Sequence, residues 1–150
     1  MAKESAEESV DLRKARAENS TLPKELEKLA EDKDEYVRYA VAQNANTPVS
    51  LIEKLADDKD KFVRRFVTGN ANTPASVLEK LADDKDLYKD EVMLGNVAGN
   101  RNTPGSVLEK LAKGRVNVRK AVAENPNTPV PLLEKLAEAG RNTRKFDTQH

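Results

Sequence analysis

The stretch "NANTPVSLIEKLADDKD" at residues 44–60 returns almost unchanged as "NANTPASVLEKLADDKD" at residues 70–86. Near-identity at a fixed spacing is the signature of a repeat architecture and decides the fold before any single helix is assigned. Outward from this pair, the pentapeptide "LEKLA" starts at Leu26, Leu78, Leu108 and Leu133, with "IEKLA" at Ile52, so successive copies lie 26, 26, 30 and 25 residues apart. Each unit reads as two helices.

In the first helix of a unit, taken as the longer, the Thr-Pro pairs Thr47-Pro48, Thr73-Pro74, Thr103-Pro104 and Thr128-Pro129 mark the start. The threonine hydroxyl is placed to cap the first-turn N–H groups, and proline follows where its missing donor costs nothing. Leu51, Ile52 and Leu55 then share one face, as do Val77, Leu78 and Leu81, Val107, Leu108 and Leu111, and Leu132, Leu133 and Leu136. The second helix, "DEYVRYAVAQN", "DKFVRRFVTGN" or "NVRKAVAEN", repeats valine four residues apart: Val37 and Val41, Val63 and Val67, Val118 and Val122. It closes on Asn44, Asn70, Asn100 or Asn125, where a helix often ends in a left-handed residue. Two turns carrying two valines cannot repay helix nucleation alone, so each unit depends on stacking against its neighbours. The expectation is an all-α solenoid of about five two-helix repeats in a single domain: a capping segment at 1–19, repeats near 20–44, 45–70, 71–100, 101–125 and 126–141, and a frayed tail at 142–150.

Composition agrees. The chain has 26 basic and 26 acidic residues in 150, one histidine and no cysteine, with 37% hydrophobic and 35% charged residues. Zero cysteine excludes disulfides, thiolate metal sites and cysteine nucleophiles, and fits a reducing compartment. "MAKESAEESV" has no apolar signal region, and no apolar run approaches the roughly 18 residues that span a bilayer. A cytoplasmic monomer without membrane attachment is expected.

The combined pattern "VRxxVAxNxNTPxxxLEKLAxD" resembles the leucine-rich repeat variant family of bacterial helical-repeat proteins, over about residues 11–140. The resemblance implies a right-handed superhelix in which an α-helix alternates with a short α or 3₁₀ helix. Some members carry an N-terminal iron–sulfur segment held by cysteines, which a chain without cysteine cannot build.

Departures from the repeat mark the ends and the middle. Aligning "DLRKARAEN" with "YVRYAVAQN" sets Arg16 on Val41, giving the first unit a polar face suited to a solenoid end. "LYKDEVMLGNVAGN" adds four residues before the fourth "LEKLA", about one helical turn that includes Gly95 and Asn96.

Catalysis finds no foothold. His150 is the terminal residue, and neither a Gly-rich phosphate loop nor a Gly-x-Ser-x-Gly elbow is present, so no enzyme activity, cofactor or metal is expected. The acidic runs Asp57, Asp58, Asp60 and Asp83, Asp84, Asp86 lack the glycine and distal glutamate of a calcium loop and read instead as caps, with Lys54 and Lys80 four residues before Asp58 and Asp84. Solenoids expose much surface and suit recognition, which points to a non-catalytic scaffold that binds another macromolecule, a protein first. Candidate contact residues are Arg38, Tyr39, Arg64, Arg65, Phe66, Tyr88, Arg119 and Lys120. Tyr36 and Phe62 neighbour the same segments. The alternative is a nucleic-acid binder using Arg38, Arg64 and Arg119 as a phosphate ladder together with the basic C-terminal third, where residues 105–150 hold nine Lys and Arg against five acids. Asn46, Asn72, Asn102 and Asn127 form a further row, either closing turns or presenting amides to a peptide.

Overall fold

A computed structural model describes residues 8–147, and side chains as far as Asn142. Among these residues every regular element is an α-helix. The chain divides into two compact units, one ending at Thr73 and the other starting at Pro74.

The first unit contains α1 (Val10–Asn19), α2 (Pro23–Leu29), α3 (Glu35–Gln43), α4 (Val49–Leu55) and α5 (Lys61–Thr68). Helices α1, α3 and α5 pack side by side, with α2 against α1 and α3, and α4 against α3 and α5. Val37, Val41, Val63 and Val67 are fully buried along this layer, as are Leu26, Ile52 and Leu55 of the "LEKLA" helices. Each such side chain contributes about 1.5–3 kcal/mol by leaving water, which is why helices of seven to ten residues hold in company.

The second unit contains α6 (Ala75–Ala82), α7 (Glu91–Gly99), α8 (Gly105–Leu111), α9 (Val116–Glu124) and α10 (Val130–Asp147). Helix α9 packs on α7, α8 and α10. Leu78, Leu87, Met93, Val97, Leu108, Val118 and Val122 form its core, and Leu132 and Leu136 of α10 cover one side while remaining half-buried.

Several sequence expectations change. The "LEKLA" helices are not consistently the longer ones, with seven residues in α4 against nine in α3, eight in both α5 and α6, and eighteen in α10; both kinds are α-helical, one of the two alternatives expected for the short helix. Pro48, Pro74 and Pro104 occupy the N-cap position itself, delaying the helix start, and no side chain caps the helices that follow. The threonines before them face backwards: Thr47 Oγ1 donates to Val41 O at 2.6 Å, Thr73 to Val67 at 2.6 Å, Thr103 to Val97 at 2.5 Å and Thr128 to Val122 at 2.5 Å. They add a second donor to last-turn carbonyls that already accept the backbone amide of the closing asparagine, and leave the next helix's donors uncapped.

The closing asparagines are extended, not left-handed, at φ −70° and ψ 124° for Asn44. No described non-glycine residue has positive φ. Their amides cross to the previous repeat: Asn44 Nδ2 donates to Ala17 O at 2.8 Å and Ser20 O at 2.9 Å, Asn70 to Ala42 O at 2.7 Å and Asn44 O at 3.1 Å, and Asn125 to Ala98 O at 2.7 Å and Asn100 O at 2.8 Å. Each Oδ1 meanwhile accepts from the amide two residues on, as Asn70 does from Asn72 at 2.9 Å. The side chain has displaced the backbone conformation as the device that ends the helix.

The ends also differ. Ser20, not Asn19, takes the asparagine position in the first repeat, accepting from Leu22 N at 3.2 Å, while Asn19 turns back to Ala15 O. Arg16 is exposed and paired with Glu25 at 2.9 Å, as a polar end requires. The four added residues extend the turn before α7 and add nothing to the helix, whose nine residues match α3. Leu87 of that turn is fully buried and plugs the core, and Gly95 and Asn96 lie within α7. At the C-terminus α10 runs unbroken through Asp147, where a frayed tail was expected from 142; residues 148–150 lie outside the described part. "AEAG" replaces the "ADDK" that ends α4, so no aspartate is available to cap a new start.

Candidate interaction surface

The turn after the "LEKLA" helices α2, α4 and α6 is organised by an aspartate. Asp58 Oδ1 accepts from Asp60 N at 2.9 Å, and Asp60 in turn caps α5 by accepting from Phe62 N at 2.8 Å. Asp32 and Asp34 repeat the arrangement before α3. The free edge of each hub carboxylate takes an arginine from the preceding repeat: Arg13 Nε meets Asp32 at 2.8 Å, and Arg38 Nε and Nη2 meet Asp58 at 2.9 and 3.3 Å. Arg38 Nη1 also donates to the Asp32 carbonyl at 2.9 Å, and Arg64 Nη1 to the Asp58 carbonyl at 2.7 Å.

Arg38 is therefore 6% exposed and fully engaged, which removes it as a contact residue and breaks the proposed arginine ladder at its first rung. Asp58 pairs with Arg38 instead of Lys54, which reaches Glu31 of the previous repeat at 2.8 Å. The second asparagine row is occupied as well: Asn72 Nδ2 donates to Ala45 O at 2.7 Å, and Asn127 Nδ2 to Arg101 O. These amides join repeats and are not presented to a peptide.

What the first unit does present is aromatic. Tyr36 and Tyr39 of α3 lie edge to face at 5.2 Å, and Tyr39 packs on Phe66 of α5 at 4.7 Å. Arg65 spans Phe62 at 4.7 Å and Phe66 at 5.4 Å, and Lys61 sits 5.4 Å over Phe62. Tyr36 is 51% exposed and Phe62 41%, with Tyr39 and Phe66 half-buried between them. Burial, with Tyr36 and the acids Glu35, Asp34 and Asp60, raises the Tyr39 phenol above its ordinary pKa, so the hydroxyl stays a neutral donor. The equivalent positions of the second unit are Val92, Gly95 and Asn96 on α7 and Asn117, Lys120 and Ala121 on α9. The strip belongs to the first unit only.

Of the remaining candidates, Tyr88 is exposed beneath Lys89 at 5.3 Å in the long turn, and Lys120 is exposed on α9. Arg119 is half-exposed and lines a groove of about 610 Å³ with Lys110, Lys113, Lys135, Leu132 and Leu136. Sequence reasoning did not assemble this groove, since its lysines fall on solvent positions of separate repeats and meet only where α10 folds against α9.

Against known proteins, the sequence model described as Leucine rich repeat variant matches residues 116–139, covering α9 and the start of α10. Residues 116–139 are thus similar to one leucine rich repeat variant unit. The same succession within the chain, valines then Asn-x-Asn-Thr-Pro then "LEKLA" or "IEKLA", stands at α3–α4 and α5–α6. No curated protein and no solved structure matches the chain. Among the described residues no helix is long and apolar enough to cross a membrane, and no cluster of three or more acids, histidines or cysteines could hold a metal ion.

Proposed function

We propose that this chain is a non-catalytic helical-repeat module that binds another protein through the aromatic face of α3 and α5. The observation that carries the reading is the contiguous strip of Tyr36, Tyr39, Phe62 and Phe66, with Arg65 laid across it. Aromatic residues and arginine are the types enriched at protein contact sites, where rigid rings bury much area at low entropic cost. A nucleic-acid reading would need the rings free for bases and phosphates drawn to them. Instead Arg65 covers Phe62, and Asp34, Glu35 and Asp60 surround Tyr39. The repeat pattern supports a scaffold, and zero cysteine suits a cytoplasmic monomer.

The test is affinity capture from bacterial lysate with and without nuclease, using the native chain, a Tyr39→Ala/Phe66→Ala variant and a Tyr36→Ser/Phe62→Ser variant. Proteins that survive nuclease and are lost with both variants support the reading. The Ser variant alters only exposed rings and so separates binding from folding. Captured material that vanishes with nuclease, or that both variants retain, overturns it. For a purified partner, truncating two central rings should weaken binding about 30-fold or more.

A further inference from the structure

The internal arginine–aspartate hub supplies a template for reading the basic groove of the second unit. In the first unit the arginine four residues after the N-cap of α1 or α3 is held by an aspartate 19 or 20 residues later, Arg13 by Asp32 and Arg38 by Asp58. Arg119 occupies the same place on α9, and 20 residues on the chain supplies Ala139. The hub is missing on the other side too. Gly114 stands where the turn into α5 has Asp58, and a Cβ there would lie 3.1 Å from the Leu111 carbonyl; Arg115 replaces the capping Asp60 and makes no side-chain cap. Among the described residues the Arg119 guanidinium forms no hydrogen bond and no ion pair.

We infer that the groove between α8, α9 and α10 binds an acidic, partly apolar peptide segment, whose Asp or Glu carboxylate takes the place at Arg119 that Asp58 takes at Arg38. Charge complementarity selects this occupant: Lys110, Lys113 and Lys135 rim the groove with Arg119, against the single acid Glu109. Its floor is apolar, formed by Leu132, Leu136 and Ala139, so a carboxylate flanked by aliphatic side chains fits better than a bare anion. A planar guanidinium left open offers two parallel donors, the geometry a carboxylate fills. The site is independent of the aromatic face, and either can fail without the other.

The experiment uses the full chain and fluorescein-labelled peptides of Leu, Ala, Asp and Glu, read by anisotropy. One control replaces every Asp and Glu by Asn and Gln, a second replaces every Leu by Ser, and tripolyphosphate and a short single-stranded oligonucleotide serve as competitors. The acidic apolar peptide should bind and both control peptides should not. Arg119→Lys, which keeps the charge and loses the fork, should weaken binding about tenfold, and Arg119→Ala about 30-fold, with far-UV circular dichroism unchanged. Ala139→Asp restores the hub in cis and should close the site, abolishing peptide binding while leaving the fold intact. Equal binding of the amide peptide, tighter binding of polyphosphate or oligonucleotide, no binding of the acidic peptide, or indifference to Arg119→Lys and Ala139→Asp together would each overturn the inference.

Discussion

Asn70 in the first unit and Asn125 in the second make the same bonds to the repeat before them, whereas Arg38 and Arg119, which also stand at equivalent positions, do not share a partner. The difference separates two kinds of interaction between repeats. Backbone carbonyls at a helix end cannot reach water once the next repeat covers them, so every repeat must supply an amide there. An ion pair at the edge is dispensable only where the site opens to solvent, because a half-exposed guanidinium such as that of Arg119 is hydrated without a partner. The first unit has filled that edge and decorated its outer face with rings. The second has left the edge open as a basic groove.

The largest way to break this comparison is at the asparagines. Asn70→Ala strands the carbonyl of Ala42 and the amide of Asn72, and leaves the Asn44 carbonyl with Thr47 N as its donor, in a site only 4% exposed. Urea denaturation should show a loss of about 4 kcal/mol, and Asn125→Ala should match it within about 1 kcal/mol. A loss well below this in either unit would mean that water replaces the amide and that the stitch is not common to both.

Much of this architecture is legible in the sequence, for a physical reason. The helix pairs follow from apolar spacing, and the buried valines Val37, Val41, Val63, Val67, Val118 and Val122 were all visible as a period. The asparagines were visible too, but their function was not: a left-handed cap and an amide that bridges repeats require the same residue at the same place. Thr47 and its equivalents are ambiguous in the same way, because a hydroxyl can cap forwards or backwards and only the position of Pro48 decides. For the candidate site, the arginine repeat was readable, while the aspartates that neutralise Arg13 and Arg38 lie 19 and 20 residues away in another element. The groove required three-dimensional contact between α9 and α10, and no local pattern encodes it.

The ion-pair edge gives the next contrast. Asp58→Ala removes the partner of a buried guanidinium and the acceptor for Asp60 N, and should cost about 3 kcal/mol. Arg119→Ala removes a side chain without a partner and should change stability by less than about 0.5 kcal/mol. Thermal denaturation of the two variants beside the native protein measures the difference. Equal effects would show that the edge is structural in both units and that the groove has no spare charge.

The smallest effect is a pH dependence confined to the first unit. Burial pushes the Asp32 carboxyl up, but the Arg13 guanidinium and the Asp34 amide outweigh it and hold the group below the ordinary carboxylate value. A folded pKa below the unfolded one means that the unfolded chain binds more protons in the interval between them. The stabilisation is therefore complete above about pH 4 and is lost as pH falls through the folded value. Asp32→Asn keeps the size of the side chain and forfeits the charge at every pH. Its deficit against the native protein should be about 2 kcal/mol at pH 7, the worth of hydrogen bonds to a charged group, and should shrink as the pH drops below 4. The corresponding end of the second unit offers Ala139 and no carboxylate, so Ala139→Asp should introduce a dependence of the same sign and smaller size, because its site is open to solvent. A deficit for Asp32→Asn that stays constant down to pH 3 would show that the carboxylate acts there as a neutral hydrogen-bond acceptor, and that the charge of Arg13 does not distinguish the two ends.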